Sequence, residues 1–335
     1  MKRLKKECLF FLIIGCLFIV SFLVCSAQTQ EWPTRPIRIV VAYSAGGGTD
    51  RAARLLQPYL EKEIGESVII ENLPGAGGQV AATSVYRRKP DGYTILAINQ
   101  PHLNVSIALG NAVYKNDDFI PFWVEVISPV VAIVMNDSPW NNFVDFIEAA
   151  RDNPGRYAIS GTQMSGQVGI PLYIADKLGL DINIVSYGGG APAAAALLGG
   201  HVDMCFGDAL GRYDLRDEVK ALGIASVEPC SLWPEAKHFN EQLKQYNVQL
   251  PSPTFLIRYG LYAVRKEFKE EYPERYEKLV QSFKAATKNE EYLATTKKIG
   301  MEPILVFESD PEKYQEIFSK DYDALVRDLL PLIGK

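Results

Sequence analysis

A run of three glycines followed by two helix-capping residues has the clearest chemical potential in the chain. Residues 46–48 are all glycine; they follow the apolar, β-branched run of residues 37–41, and Thr49 and Asp50 come next. A strand that turns through glycines into a helix presents several backbone N–H groups at the positive end of the helix dipole. Such an arrangement binds anions. The sequence therefore predicts an anion site at residues 46–50.

The composition of this loop argues against a nucleotide phosphate. A P-loop needs a lysine that reaches the phosphates, whereas here the loop carries Asp50. Neither residues 46–50 nor the second glycine-rich stretch, residues 75–78, has the G-x-G-x-x-G spacing of a dinucleotide site. The loop therefore predicts a site for an anion other than a nucleotide phosphate.

Residue types that perform catalysis are present, but the sequence gives them no partners. Ser165 lacks the first glycine of a nucleophile elbow. His102, His201 and His238 show no partner pattern, and no cysteine–histidine spacing suggests a metal site. Asp208 follows a predicted strand, where a ligand contact is a better role for it than general acid catalysis. We therefore predict no catalytic residue, no metal site and no cofactor.

Alternating strands and helices are the elements that position these loops. The predicted strands are residues 37–41, 67–71, 93–97, 130–135, 157–160, 182–187 and 202–206. Helical periodicity separates most of them, as in residues 143–150. The alternation predicts parallel sheets with helices on their faces, where ligands gather at the carboxyl ends of the strands.

The chain of 335 residues is long enough for two domains. Its net charge of −5, with no basic cluster after the first few residues, argues against a nucleic-acid partner. Of its cysteines, only Cys205 and Cys230 follow residue 27. They could pair in an oxidising compartment, or Cys205 could be a buried free thiol.

Residues 1–27 have the order of an export signal, with basic residues, an apolar run and small residues before a cleavage site. We expect cleavage after Ala27. Two alternatives stay open: the apolar run could remain as a membrane anchor, or Cys16 could be lipidated. Each of these three possibilities places residues 28–335 in the periplasm or another extracytoplasmic location.

Five ordered motifs resemble those of the Bug-type extracytoplasmic solute receptors, the binding subunits of the tripartite tricarboxylate transporters. They are residues 41–50 (VAYSAGGGTD), 71–78 (ENLPGAGG), 90–96 (PDGYTIL), 187–193 (YGGGAPA) and 197–203 (LLGGHVD). The resemblance implies an α/β, two-lobed type II periplasmic binding protein. Each lobe is expected to be a mainly parallel sheet flanked by helices, with the ligand cleft at the hinge. We expect residues 28–135 and 256–335 in lobe 1, and residues 136–255 in lobe 2.

The resemblance also implies which residues bind the ligand. The first two glycine loops of such receptors hold a carboxylate through backbone groups, and loops of the second lobe complete the cleft. Here the implied residues are Tyr43, Ala45, Gly46, Gly48, Thr49, Asp50, Gly75, Ala76, Gly77, Gly78, Ser160, Gly161, Thr162, Tyr187, Gly189 and Asp208. The chain departs from the family at Gly188, where a basic residue is usual, and in the loop after Ser160.

We therefore expect an exported, monomeric receptor that captures a small organic carboxylate and delivers it to membrane permease subunits. Two alternatives stay open: a secreted hydrolase of small acids that uses Ser165 or Asp208, and a ligand-sensing adaptor for a membrane sensor. If the first loop lies at a surface cleft, Gly47→Val or Asp50→Lys should weaken ligand binding without unfolding the protein.

Overall fold

The computed structural model describes residues 31–109, 112–163, 165–226, 229–250, 257–299, 305–328 and 330–333. The predicted signal peptide lies outside the described residues. Residues 35–335 form one compact unit. Within the described ranges, the helices are too short or too polar to span a membrane.

The strands of the described residues form one mixed sheet. They are β1 (Ile37–Val41), β2 (Val68–Asn72), β3 (Thr94–Gln100), β4 (Phe119–Met135), β5 (Ala158–Thr162), β6 (Asn183–Tyr187), β7 (Met204–Asp208), β8 (Val219–Ala225), β9 (Ile257–Arg265) and β10 (Leu305–Glu308). The order is β2-β1-β3-β9-β4-β7-β5-β6, and β8 and β10 also pair with β4. The pairs among β1, β2 and β3 and among β5, β6 and β7 are parallel, whereas β4 and β9 pair antiparallel with their neighbours.

The helices flank this sheet and follow the strands in alternation. They are α1 (Gly48–Ile64), α2 (Gln79–Tyr86), α3 (His102–Ala108), α4 (Phe143–Asp152), α5 (Gly166–Leu178), α6 (Gly190–Leu198), α7 (Ala209–Arg212), α8 (Phe239–Leu243), α9 (Lys266–Glu271), α10 (Pro273–Thr287), α11 (Glu290–Lys298), α12 (Pro311–Asp328) and α13 (Leu330–Ile333). The predicted α/β class is confirmed.

Strand β4 joins two parts of the sheet. Its residues 119–129 pair with β9, and its residues 130–135 pair with β7 and β8. We call β1, β2, β3, β9, β10 and residues 119–129 the first half-sheet. The second half-sheet is residues 130–135 with β5, β6, β7 and β8. The division into lobes at residues 135 and 256 stays a prediction.

Apolar periodicity explains the best-predicted elements. The β1 sequence IRIVV is almost entirely buried, as expected of a strand in the middle of a covered sheet. The buried residues of α4 are Phe143, Phe146, Ile147 and Ala150, which share one helical face. Gly65 ends α1 in the left-handed conformation, with φ of 77°. Cys205 and Cys230 are both free.

Several strand boundaries differ from the prediction, among them those of β4 and β7, and the boundary of β7 bears on the site. β4 begins at Phe119 rather than residue 130, because the aromatic and apolar residues before 130 pair with β9. β7 runs from Met204 to Asp208 rather than over residues 202–206. Asp208 is thus the last residue of a strand buried throughout, and the sheet itself fixes its position.

Candidate functional site

A small pocket lies where the loops of the two half-sheets meet. Its lining consists of Tyr43, Gly47, Gly48, Thr49, Asn99, His102, Thr162, Gln167, Gly190 and Asp208. The first six lie at the end of a strand of the first half-sheet or just after one, and the others lie in or just after strands of the second. The space is about 10 Å³, close to what one water molecule needs. The two sets of loops are therefore nearly in contact across the pocket.

Three helices point their N-termini at this pocket. α1 begins at Gly48, α5 at Gly166 and α6 at Gly190, and each contributes a residue of its first turn to the lining. The first N–H groups of a helix have no partner within that helix, and its dipole places partial positive charge there. The pocket is therefore a favourable place for an anion.

Glycines allow the close approach of the facing loops. A Cβ atom at Gly48 would lie 2.9 Å from Asp208 Oδ1, and one at Gly189 would lie 3.0 Å from the Ser44 nitrogen. Side chains at these positions would push the two half-sheets apart. By contrast, a Cβ at Gly188 would have no neighbour within 4 Å.

A buried ion pair lies behind the pocket. Arg258 Nη2 is 3.2 Å from Asp208 Oδ1, and both side chains are almost fully buried. Arg258 Nη1 donates to Asn99 Oδ1 at 3.0 Å and to Thr49 Oγ1 at 3.4 Å. In β9, Arg258 pairs with Ser128, next to the point where β4 changes partners. One guanidinium thus connects the first glycine loop, the end of β3 and the end of β7.

Positive charge outweighs negative charge around Asp208. Burial alone would raise the pKa of Asp208, but Arg258 and then Arg212 hold it below its usual value. Arg212 is also buried, and its Nε and Nη2 atoms have no hydrogen-bond partner among the described residues. Glu125 is a further buried acid. Burial raises its pKa, although the charge of Arg258 acts in the opposite direction. The two guanidinium groups therefore leave an excess of positive charge, which a bound anion would offset.

Asp50 organises the first loop instead of lining the pocket. It is 2% exposed, and its carboxylate accepts from the Gly46 nitrogen at 2.8 Å, from Arg54 Nε at 3.0 Å and from Asn72 Nδ2 at 2.8 Å. Burial opposes ionisation, but these bonds, first among them that of Arg54, lower the pKa of Asp50. Because Asn72 ends β2, Asp50 ties the first loop to the base of the second.

The second glycine loop, residues 75–78, is not part of the pocket lining. Its backbone is unusual, since Ala76 has φ of 45° and Gly77 has φ of 60°. With its amide oxygen facing these donors, Gln163 accepts from the Ala76 nitrogen at 2.8 Å and from the Gly77 nitrogen at 3.1 Å. The N–H groups that the family resemblance assigns to a ligand thus bond a side chain of the second half-sheet.

The other predicted site residues fall into two groups. Tyr43, Gly48, Thr49, Thr162 and Asp208 line the pocket. The rest are outside the lining. Ala45 and Gly46 are exposed, Gly161 packs against the Gln167 carbonyl, and Gly189 packs against Ser44. Ser160 Oγ donates to the Ala193 carbonyl at 2.8 Å, and the Tyr187 carbonyl accepts from the Gln163 nitrogen.

Ser165, the nucleophile of the hydrolase alternative, has a structural partner on each side. Its hydroxyl donates to the Thr162 carbonyl at 2.5 Å and accepts from the Gln167 nitrogen at 3.1 Å, which caps α5. None of the hydrogen bonds of the described residues joins Ser165 to a histidine. Among those residues, no three His, Cys, Asp or Glu side chains cluster as metal ligands would.

Four polar residues of the site were not predicted from the sequence. Asn99, His102 and Gln167 line the pocket, and Arg258 lies behind it. Asn99 and His102 follow the predicted third strand at its carboxyl end, so a longer estimate of that strand could have indicated them. Arg258 lies near the start of a mainly apolar strand, and its contacts depend on the strand order.

The comparisons with known proteins decide the family. The model of the tripartite tricarboxylate transporter family receptor matches residues 52–329. The chain belongs to this family. A UPF0065 protein of Bordetella pertussis (strain Tohama I) is 33% identical over 223 residues, which are 63% of this chain and 66% of the relative. The matched stretch thus spans just under two thirds of that relative's length.

Solved structures agree with this assignment. The periplasmic binding protein BugD is 25% identical to this chain, with a TM-score of 0.78, and the match covers 90% of this chain and 99% of BugD. MatC of Rhodopseudomonas palustris, solved with bound malate, is 22% identical with a TM-score of 0.76; the match covers 88% of this chain and 100% of MatC. The chain therefore has the mixed α/β fold of the Bug-type periplasmic binding proteins, and its family is a family of receptors.

Proposed function

We propose that this receptor captures a small organic carboxylate in the pocket between the first glycine loop and Asp208. The observation that carries the proposal is the excess of positive charge: three helix N-termini and two buried arginines surround one buried aspartate. The malate bound by MatC supports a carboxylate as the ligand class. Because the enclosed space is so small, the loops must separate to admit the ligand and then close on it.

A thermal-shift screen tests this proposal. Mono-, di- and tricarboxylates are compared with their uncharged amides, since an amide keeps the shape and loses the charge. A carboxylate at 100 times its Kd should stabilise the protein by about 2.7 kcal/mol. An equal response to carboxylates and amides, or no response to either, would contradict the proposal.

Two glycine variants locate the site. Gly48→Ala places a Cβ 2.9 Å from Asp208 Oδ1, so it should prevent closure and weaken carboxylate binding at least tenfold. Gly188→Ala is the matched control, because its Cβ meets nothing within 4 Å. Isothermal titration calorimetry measures both. If Gly48→Ala binds as tightly as the control, the ligand lies elsewhere.

We also propose that the receptor is exported, acts as a monomer and passes its ligand to membrane permease subunits. Membership of the transporter receptor family supports this role. A pull-down of detergent-solubilised permease subunits, with and without the carboxylate found by the screen, tests the partner. Light scattering on the purified protein tests whether it is a monomer in solution.

A further inference from the structure

His102 is a buried polar residue outside the hydrogen-bond network of Arg258, Asn99 and Thr49. It begins α3, directly after β3 and Pro101, and is 2% exposed. Neither ring nitrogen has a hydrogen-bond partner among the residues that the structure describes, although the ring lines the pocket. A buried polar group without a partner costs about 1–3 kcal/mol, so a second role has to account for it.

The groups around His102 are already bonded to one another. The Tyr43 ring contacts the imidazole edge to face, with centroids 5.2 Å apart, but its hydroxyl accepts from the Asn99 nitrogen. Asn99 Oδ1 accepts from Arg258 and Thr49. None of these hydrogen bonds involves His102. Of the ten lining residues, His102 is the one whose buried side-chain nitrogens remain unpaired.

The imidazole is neutral at physiological pH. Burial and, after it, the charge of Arg258 lower the pKa of His102 to about 3, although Asp208 acts in the opposite direction. A neutral imidazole has one N–H donor and one acceptor nitrogen. His102 therefore adds a direction-specific hydrogen bond to the pocket rather than charge, which the arginines and helix N-termini supply.

We propose that His102 is a ligand-binding residue whose imidazole hydrogen-bonds an oxygen atom of the captured carboxylate ligand. This inference rests on the proposed function and extends it to a residue outside the glycine loops. Without ligand, the unpaired imidazole raises the free energy of the closed pocket. With ligand, the hydrogen bond removes that cost, so closure and binding are linked.

Substitution separates this role from a structural one. In His102→Phe the hydrogen bond is lost, so the Kd of the carboxylate found by the screen should rise about tenfold. The thermal midpoint of the ligand-free protein should stay equal or rise, because an unpaired polar group is removed. His102→Leu repeats the test with a smaller side chain in case the phenyl ring does not fit. His201→Phe, at an exposed position, is the matched control.

The outcomes distinguish the inference from the proposed function. If the wild type binds carboxylates and both His102 variants bind them equally well, the His102 inference alone is wrong. A fall in the midpoint with unchanged Kd would assign His102 a structural role. If the wild type binds no carboxylate, the His102 inference and the proposed function are both overturned.

A spectroscopic measurement uses the unaltered side chain. The chain has three histidines, so ¹⁵N spectra of the imidazole nitrogens can be assigned with His201→Gln and His238→Gln. Saturating carboxylate should shift a ring-nitrogen signal of His102 and leave the other two histidines unchanged. An unshifted His102 spectrum would overturn the proposal.

Discussion

The first and second glycine loops have similar sequences and different surroundings. Both follow a parallel strand and lead into a helix. Part of the first loop is bonded within itself, since the Gly46 nitrogen donates to Asp50 and the Gly47 nitrogen donates to the Ser44 carbonyl. The first loop, residues 46–48, faces Asp208 and Gly190 across a pocket backed by Arg258. The second, residues 75–78, faces the amide of Gln163. Two loops of similar sequence therefore differ in what lies opposite them, which is a pocket for the first loop and a side chain for the second.

Removing the charge behind the first loop should have the largest effect. In Arg258→Met, Asp208 stays buried without its main partner, which costs about 3–5 kcal/mol of stability. Carboxylate binding should also be lost, because the excess of positive charge around the pocket falls. Urea unfolding and calorimetry measure the two effects. The double variant Arg258→Met/Asp208→Asn should regain much of the stability but not the binding; recovery of both would show that Arg258 has no electrostatic role.

Asp50 tests how the first loop is held. Asp50→Asn should lower stability at pH 7 by about 2 kcal/mol, because the carboxylate accepts hydrogen bonds from three groups. The folded state lowers the pKa of Asp50, so its contribution is present above the unfolded pKa of about 3.9 and is lost as the pH falls through the folded value. The variant should thus lose less stability than the wild type below about pH 4. Parallel acid-unfolding curves would contradict this account.

The burial of Asp50 also changes the sequence-based expectation for Asp50→Lys. A lysine there would stand beside Arg54 in a buried site, so we now expect unfolding as well as weaker binding. A Cβ atom at Gly47 would lie 3.3 Å from the Ser44 carbonyl oxygen and 4.0 Å from the Gly190 nitrogen, so we expect Gly47→Val to remain the milder variant.

Gln163 tests the second loop directly. Gln163→Ala removes both hydrogen bonds to that loop and should lower stability by about 1 kcal/mol, with less than a threefold change in carboxylate Kd. Gln245→Ala, in the turn after α8, is a control of the same residue type. A loss of affinity as large as that of Gly48→Ala would mean that both loops serve the ligand. Tighter binding of dicarboxylates would mean that Gln163 excludes a second carboxylate.

The two loops also show what a single sequence can predict. Strand β1, its glycine turn and α1 follow from apolar periodicity and from glycine, which act over a few residues. Arg258 and His102 escaped prediction because their roles arise from distant contacts. Arg258 hydrogen-bonds Asn99 and Thr49, which lie 159 and 209 residues away in the sequence, because β9 lies between β3 and β4 in the sheet. Gln163 likewise has a partner only through the approach of the two half-sheets.

The smallest effect should come from the exposed ion pair at the edge of the first loop. Arg51 Nη1 lies 2.5 Å from Asp214 Oδ2, but the side chains are 33% and 60% exposed. Such pairs contribute about 0–1 kcal/mol, and salt screens them. Arg51→Ala should therefore change stability no more than Arg151→Ala, which removes an exposed pair within α4. Carboxylate titrations at low and high salt complete the test. A tenfold loss of affinity in Arg51→Ala alone would place ligand recognition at the rim of the pocket instead of at the buried arginines.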